Sequence, residues 1–135
     1  MVVTRNPQRF SILITDDDDG CRQALRDIME LQGYHTLVAS SGEEAVDIAR
    51  DEDVHLALLD MHMPRLTGIE TLLLVRQFRI NLPGILVTAD PSEQVMRQAY
   101  QAQVYSVIPK PVSKNIVLHT VIRALVRFYG SQQGG

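Results

Sequence analysis

The sequence predicts a doubly wound α/β domain, in which helices cover both faces of a five-stranded parallel sheet. Five short apolar runs rich in Val, Ile and Leu recur along the chain, and each is too short for an ordinary helix. Three of them are continuously apolar without alternation, which is typical of strands buried on both faces of a sheet. The predicted strands cover residues 11–15, 34–39, 54–59, 84–88 and 104–108.

Segments with helical spacing separate these strands. Their apolar residues recur at i, i+3 and i+4, as do Leu25, Ile28 and Met29 in the first segment, and this spacing forms the buried stripe of an amphipathic helix. The first predicted helix is stopped by Gly33, and the second is capped at Ser41 or Gly42. Three more helices are predicted over residues 66–80, 91–101 and 111–129. Five strand–helix repeats favour right-handed crossovers and the strand order 2-1-3-4-5.

Length and composition indicate one domain. The chain has 135 residues, of which 45% are hydrophobic and 21% charged, the balance of a compact domain with its own core. We predict an N-terminal extension over residues 1–10, the folded domain over 11–129, and a flexible tail or the start of a linker over 130–135. A single cysteine and the lack of an apolar leader or membrane-length span predict a cytoplasmic protein.

Charge is distributed unevenly along the chain. Residues 1–93 contain all 16 acidic residues and 8 of the 13 Lys and Arg, whereas residues 94–135 contain 5 bases and no acid. The acidic part favours a cation site. The basic, apolar end favours a protein contact over direct contact with nucleic acid, because only 5% of the chain is aromatic.

Polar side chains follow four of the predicted strands. Asp16 and Asp17 follow the first strand, Asp60 the third, Thr88 the fourth and Lys110 the fifth. In an open parallel sheet the ligand crevice lies at these carboxyl ends. Carboxylates from neighbouring strands repel one another, and Mg²⁺ relieves this repulsion. Asp60 is then placed as a carboxylate nucleophile that forms an acyl phosphate, with Thr88 and Lys110 on the phosphoryl oxygens.

Together, these motifs resemble those of bacterial response-regulator receiver domains, of the chemotaxis-regulator type, in two-component signalling. The resemblance covers residues 11–129. It is carried by the strand 12–15 with the acids 16–18, by Asp60-Met61-His62-Met63-Pro64 with Gly68, by Val87-Thr88-Ala89 and by Pro109-Lys110-Pro111. The prolines around Lys110 also make the Lys110–Pro111 bond a candidate cis peptide.

The resemblance implies a flavodoxin-like (βα)5 fold and a role for each site residue. Asp60 is expected to be the phosphoacceptor, Asp17 a direct Mg²⁺ ligand, Asp16 a ligand often through water, and the His62 backbone carbonyl a further ligand. Thr88 and Lys110 are expected to contact the phosphoryl group. A sensor histidine kinase or phosphotransfer protein is expected to be the donor. The domain is then a regulatory phosphoacceptor with its own self-phosphorylation and autodephosphorylation chemistry, and not an enzyme.

The sequence departs from the family pattern where the family usually has an aromatic switch residue three positions before the lysine. That position is Val107, so the ring switch is expected to be absent or carried by another residue. Neighbouring Tyr105 is a candidate, although we expect it to point to the opposite face. His62, two positions after Asp60, is expected to overhang the site and to tune the phosphoryl lifetime. Asp18 and Asp19 are interpreted as first-turn acids of the first helix.

The last helix has two apolar stripes. One is expected to pack on the sheet. The other, with Lys114, Arg123 and Arg127 nearby, is expected to form a homodimer or effector surface together with the fourth helix and fifth strand. Contact with a membrane is not expected.

Three alternatives start from the same residues. A phosphorylation-silent, receiver-like docking module shares the motifs. A haloacid-dehalogenase-type phosphatase would use Asp17 as its nucleophile, but it needs acidic ligands after the lysine, and there is no Asp or Glu beyond Glu93. A flavodoxin-type cofactor binder would need a Ser, Thr and Gly-rich loop after the first strand, where carboxylates repel a phosphate.

Overall fold

The computed structural model describes residues 10–130, and it confirms the predicted doubly wound architecture. Five strands form one parallel sheet in the order β2-β1-β3-β4-β5 and alternate with five helices. The elements are β1 (Ser11–Thr15), α1 (Asp19–Leu31), β2 (His35–Ala39), α2 (Gly42–Asp51), β3 (Leu56–Asp60), α3 (Gly68–Val75), β4 (Gly84–Thr88), α4 (Glu93–Gln101), β5 (Ser106–Pro109) and α5 (Lys114–Tyr129).

The core has two halves because successive side chains of a strand point to opposite faces of the sheet. On one face, β-strand residues such as Leu13, Leu59 and Leu86 pack against α2, α3 and α4. On the other face, residues such as Ile14, Leu58 and Val87 pack against α1 and α5. Every residue of β3 and β4 is buried, as the uninterrupted apolar runs predict. Full burial of one such aliphatic side chain stabilises the fold by roughly 1.5–3 kcal/mol.

Each helix begins at a short polar residue that caps its first turn. The side-chain oxygen accepts a hydrogen bond from the backbone N–H three residues later. The caps are Asp18, Ser41, Thr67, Ser92 and Ser113. Ser41, and not Gly42, therefore caps α2. Gly33 follows α1 with a φ of 94°, a left-handed conformation that glycine adopts without strain.

The third helix is shorter than predicted. The apolar spacing predicts residues 66–80, but α3 covers only Gly68–Val75. Its start is set by a capping box, in which Thr67 and Glu70 accept each other's backbone N–H groups. Past its end, Arg76 turns its guanidinium to carbonyls of other segments, and Asn81 has a positive φ of 64°. The apolar residues after Val75 thus lie in turns.

Parts of the two predicted terminal segments lie outside the described residues, namely 1–9 and 131–135, so the division into extension, domain and tail stays a prediction. Phe10 contacts the rings of both His55 and Tyr129 at the amino end of the sheet. Among the helices between residues 10 and 130, none has the length and apolar character needed to cross a membrane.

Candidate functional site

Three aspartates meet at the carboxyl ends of β1 and β3. These strands are neighbours, with Thr15 opposite Leu59, so the residues that follow or end them share one edge of the sheet. One carboxylate oxygen from each of Asp16, Asp17 and Asp60 lies within 4.8 Å of the other two. Asp16 is 0% and Asp60 6% exposed, whereas Asp17 is exposed. The predicted acidic residues therefore converge, two of them buried and one at the surface.

Asp16 is held by hydrogen bonds to both its backbone and its side chain. Its backbone N–H donates to the carbonyl of Ala39 on β2 over 3.1 Å. Its Oδ1 accepts from the backbone N–H of Asp18 at 2.9 Å, and its carbonyl accepts from Nη1 of Arg22 at 2.8 Å. These contacts fix the carboxylate before any ligand binds.

Lys110 brings a cation to this acidic cluster from the end of β5. Its Nζ lies 3.0 Å from Oδ2 of Asp16 and 3.4 Å from Oδ1 of Asp60. Its backbone N–H donates to the carbonyl of Thr88 over 2.8 Å, and the Lys110–Pro111 bond is cis, as predicted. Burial lowers the pKa of Lys110, but the hydrogen bond and charge of Asp16, with the charge of Asp60, outweigh it and raise the pKa overall. The side chain stays charged at neutral pH.

The surroundings of Asp60 raise the pKa of its carboxyl group. Burial raises the pKa of Asp60, and the negative charge of Asp16 raises it further, to about 6, against the lowering effect of Lys110. The backbone N–H of His62 approaches Oδ1 of Asp60 at 3.4 Å. Asp60 is thus ionised at neutral pH, yet it lies where negative charge is unfavourable.

The residues present fit a divalent cation. Three carboxylates face one ammonium, so ionisation of all four groups leaves negative charge uncompensated. Two of these carboxylates are almost fully buried, and buried charges of this kind need pairing or a metal. Carboxylate oxygens together with water are the ligands that Mg²⁺ prefers. The set Asp16, Asp17 and Asp60 is therefore an acidic triad of the magnesium-binding type.

The hydroxyl of Thr88 lies at the end of β4, which pairs with both β3 and β5. The side chain is fully buried. Its Oγ1 accepts a hydrogen bond from the backbone N–H of Asp90 at 3.0 Å, so the hydroxyl proton stays free for donation to another group.

Gly68, the first residue of α3, allows a close approach to the site. A Cβ at this position would lie 2.5 Å from the carbonyl oxygen of Asp60, a distance that real Cβ atoms do not tolerate. The N–H of Gly68 also donates to the carbonyl of Met61 over 3.0 Å. Glycine is needed here because α3 starts directly against the backbone of the acidic strand end.

Comparison with known proteins identifies the family. Residues 12–122 match the model of the response regulator receiver domain. The chain belongs to this family. It is a receiver domain of two-component signalling, and its acidic pocket of Asp16, Asp17 and Asp60 with Lys110 is consistent with a phosphoacceptor.

Relatives of this receiver include longer regulators. It is 33% identical to the transcriptional regulatory protein CpxR of Escherichia coli over 122 residues, which cover 90% of this chain and 52% of CpxR. It is 31% identical to the response regulator RR06 of Streptococcus pneumoniae over 120 residues, 89% of this chain and 54% of that protein. The receiver thus spans about half the length of these two relatives.

Solved receiver structures share the fold. A CheY-like receiver domain from Methanospirillum hungatei superimposes with a TM-score of 0.83 and 28% identity, over 87% of this chain and 94% of that one. The receiver domain of the Francisella response regulator 1452 has a TM-score of 0.79 and 27% identity, over 87% and 98% of the two chains. Family membership removes the phosphatase and flavodoxin-type alternatives.

Asp18 and Asp19 are engaged within α1 of the receiver. Asp18 is the N-cap, and its Oδ2 accepts from the N–H of Cys21 at 2.8 Å. Asp19 is the one acid of the first turn, and it pairs with Arg22. Asp19 is therefore a first-turn acid, as predicted. The same prediction is wrong for Asp18, which is the N-cap residue just before the first turn.

Sequence reasoning missed that Cys21 belongs to the surroundings of the site. Because Cys21 has no metal-ligand spacing to any histidine of the chain, the sequence predicts a structural or surface residue. In the structure, however, Cys21 and Lys110 line one groove of about 520 Å³. Burial, then the hydrogen bond and charge of Asp16, raise the pKa of the Cys21 thiol to about 12, so it stays protonated. Its place in the first turn after the acidic pair is the signal that could have revealed it.

Val107 and Tyr105 lie on different faces of the sheet. Val107 packs in the core half that contains α4, and Tyr105 packs in the half that contains α5. Tyr105 precedes the first residue of β5, and Gln103 before it has a positive φ of 54°, so the strand alternation does not extend back to Tyr105. The ring contacts Phe128 edge-on at 6.3 Å between centroids. Tyr105 therefore packs away from the Val107 side of the sheet.

Proposed function

We propose that this receiver is a phosphoacceptor in a two-component phosphorelay, and that Asp60 takes a phosphoryl group from a phosphohistidine of a sensor histidine kinase or phosphotransfer protein. The observation that carries the proposal is the position of the Lys110 ammonium, 3.0 Å from Asp16 and 3.4 Å from Asp60, beside the acidic triad. Such a cation supports the transfer of an anionic group to a carboxylate that is itself negative.

The transfer forms one bond and breaks one. A carboxylate oxygen of Asp60 attacks the phosphorus, the P–N bond of the donor breaks, and its electron pair returns to the imidazole nitrogen. The product is an acyl phosphate on Asp60. Lys110 donates to one phosphoryl oxygen, and the free hydroxyl proton of Thr88 is available to a second.

Asp16, Asp17, Asp60 and the backbone carbonyl of His62 are the residues that would hold Mg²⁺. The cation, when bound, supplies positive charge against the phosphoryl oxygens and the acidic triad. Asp17 is the exposed member of the triad, so it is the member most accessible to an arriving ion. Asp16 is positioned by its three hydrogen bonds.

The consequence of phosphorylation is regulatory. The modification adds about 1.5–2 negative charges to a site already crowded with carboxylates, and this shifts a two-state contact surface. The surface proposed for the readout consists of α4, β5 and α5. Because Val107 replaces the aromatic switch residue, the shift operates without a ring that moves at this position. The domain acts in a reducing cytoplasm, without contact with nucleic acid or a membrane.

A labelling experiment tests the proposal. The protein is incubated with Mg²⁺ and acetyl phosphate, and intact-mass spectrometry follows the addition of one phosphoryl group. We expect labelling of the wild type that disappears in Asp60→Asn and when Mg²⁺ is chelated. Asp51→Asn, which alters an exposed acid at the end of α2, is the matched control and should be labelled like the wild type. A wild type that takes no label under these conditions is the outcome expected of a phosphorylation-silent docking module.

A further inference from the structure

Arg22 connects the two ends of the run of four aspartates that follows β1. The run covers residues 16–19, and Arg22 is the fourth residue of α1. Nη1 of Arg22 donates to the backbone carbonyl of Asp16 at 2.8 Å, and Nη2 donates to Oδ1 of Asp19. One guanidinium group therefore closes a loop that contains two members of the acidic triad, Asp16 and Asp17.

The hydrogen bond to Asp16 is the one that reaches the backbone of the site. The paired residues of β1 end at Thr15, so the carbonyl of Asp16 lies beyond the ladder of the sheet. The Arg22 side chain is 21% exposed, and its hydrogen bond to this carbonyl is partly buried. A charged donor forms a stronger hydrogen bond than a neutral one, and its removal leaves a partly buried acceptor without a partner. The carbonyl side of Asp16 thus depends on Arg22.

Asp17 is the triad member that depends most on the backbone of this loop. Its side chain is exposed, so the surrounding protein does not enclose it. Both of its neighbours are held, because Oδ1 of Asp16 accepts from the backbone N–H of Asp18 at 2.9 Å. Oδ2 of Asp18 in turn accepts from the backbone N–H of Cys21 at 2.8 Å. The direction of the Asp17 carboxylate therefore follows from the conformation of residues 16–19, which Arg22 closes.

The ion pair between Arg22 and Asp19 does not by itself explain this arrangement. The Asp19 side chain is 90% exposed, and exposed ion pairs contribute little to stability. A second pair of this kind lies further along α1, where Nε of Arg26 is 3.0 Å from Oε2 of Glu30. That pair involves no residue of the aspartate run. Arg22 differs from Arg26 in its additional hydrogen bond to the backbone of the site.

We propose that Arg22 is a positioning residue for the cation of this site, and that its two hydrogen bonds hold residues 16–19 so that the carboxylates of Asp16 and Asp17 point to one ion. Partners that orient metal-ligating groups typically change metal affinity by about 10–100-fold. The inference deepens the proposed function, and it rests on that function only for the use of the cation in phosphoryl transfer.

The charge of Arg22 and its positioning effect act in opposite directions on metal binding. A positive charge beside the triad repels an arriving Mg²⁺, so removal of the charge alone should raise the affinity. Loss of the loop conformation should lower the affinity. Arg22→Met removes both the charge and the hydrogen bonds, whereas Arg22→Lys keeps the charge but lacks the planar fork of donors. The sign of the change in these two variants separates the two effects.

Calorimetric titrations with Mg²⁺ alone and with Ca²⁺ alone test the inference. We expect Mg²⁺ to bind about tenfold more weakly to Arg22→Met and to Arg22→Lys than to the wild type. The loss should be smaller for Ca²⁺, because Ca²⁺ tolerates irregular ligand geometry and Mg²⁺ requires a nearly octahedral one. Arg26→Met makes the same charge change one turn further along α1 and should bind both ions like the wild type. Thermal melts establish that all variants are folded at the temperature of the titration.

Three outcomes overturn the inference. The first is a Mg²⁺ affinity of Arg22→Met or Arg22→Lys that equals or exceeds that of the wild type. The second is an equal loss of Mg²⁺ and Ca²⁺ affinity, which is expected of a general weakening of the fold. The third is a wild type that binds no Mg²⁺. Because no phosphodonor is present in the titrations, failed labelling of Asp60 and an unchanged Mg²⁺ affinity in the Arg22 variants are separate results.

Discussion

Nζ of Lys110 lies 3.0 Å from Oδ2 of Asp16, a fully buried carboxylate that comes from the opposite end of the chain. The pair joins the end of β5 to the end of β1 across β3 and β4, since the two strands are not neighbours in the sheet. One ammonium thus balances part of the charge of three carboxylates, and the site is poised for a further cation.

Removal of the ammonium should destabilise the fold. We expect Lys110→Met to lower the free energy of unfolding by about 1–3 kcal/mol, because Asp16 is left as a buried charge without its counter-ion. Urea unfolding at neutral pH without Mg²⁺ measures the change. Lys114→Met, at an exposed lysine of α5, should stay within about 0.5 kcal/mol of the wild type. Equal stability of both variants would contradict a structural contribution from the Lys110–Asp16 pair.

Removal of one acid should have the opposite effect. In Asp60→Asn the carboxylates no longer repel one another, and we expect a gain of about 1–2 kcal/mol in the absence of Mg²⁺. Addition of Mg²⁺ should raise the melting temperature of the wild type and have a smaller effect on the variant. Calorimetry with and without the metal checks both expectations. A variant less stable than the metal-free wild type would show that repulsion in the triad is not the dominant effect of Asp60.

His62 is an exposed residue two positions after Asp60. We expect His62→Ala to shorten the lifetime of the phosphorylated form, because the smaller side chain opens the site to water. The change should stay within about tenfold, or about 1.4 kcal/mol in the barrier. Loss of label from phosphorylated protein over time gives the rate, with His119→Ala as the control for an exposed histidine elsewhere. An unchanged rate would rule out the tuning role.

Arg76 and Arg79 follow α3, and each contacts the end of a different helix. Arg76 donates to the carbonyls of Leu82, Ala102 and Gln103, and Arg79 donates to carbonyls at the end of α2. We expect Arg76→Ala to cost about 1–3 kcal/mol, because the part-buried carbonyls of Leu82 and Ala102 lose a charged donor. Hydrogen exchange should quicken around residues 101–105 in this variant, but around residues 49–53 in Arg79→Ala. The reverse pattern would show that neither arginine stabilises mainly the segment whose carbonyls it contacts.

His55 should make stability depend on pH. Its Nδ1 accepts from the backbone N–H of Ser11 at 3.0 Å, which requires an unprotonated nitrogen. Burial lowers the pKa of His55; Asp53 opposes this effect and Arg79 adds to it. The unfolded state keeps a pKa of about 6.5, so the contribution of His55 is complete above that pH and is lost as the pH falls through the folded pKa.

The comparison variant for this pH effect is His55→Gln, which keeps an acceptor but does not titrate. Between pH 7 and pH 5 the free energy of unfolding of the wild type should fall relative to that of the variant. Urea melts at several pH values supply the difference, which cancels other titrating groups such as Asp60. Parallel pH profiles for the two proteins would contradict the buried, neutral state of His55.

Local patterns were enough to predict the strands, the cap of α2 and the residues of the acidic pocket. The buried runs of β3 and β4 can hardly be anything other than inner strands, and Ser92 and Ser113 begin helices by hydrogen bonds within one turn. Because parallel strands end at one edge, Asp16, Asp60 and Lys110 could be brought together by topology alone.

Only the tertiary structure decided features that depend on long-range contacts. The end of α3 could not be predicted, because Arg76 is satisfied by carbonyls that lie after β4 and α4 in the chain or just before β4. The place of Cys21 beside Lys110 and the open groove between the end of α4, the start of β5 and α5 depend on how separate helices pack on the sheet. Sequence spacing determines which side chains share a face of one element, whereas the packing of several elements decides which of those faces meet.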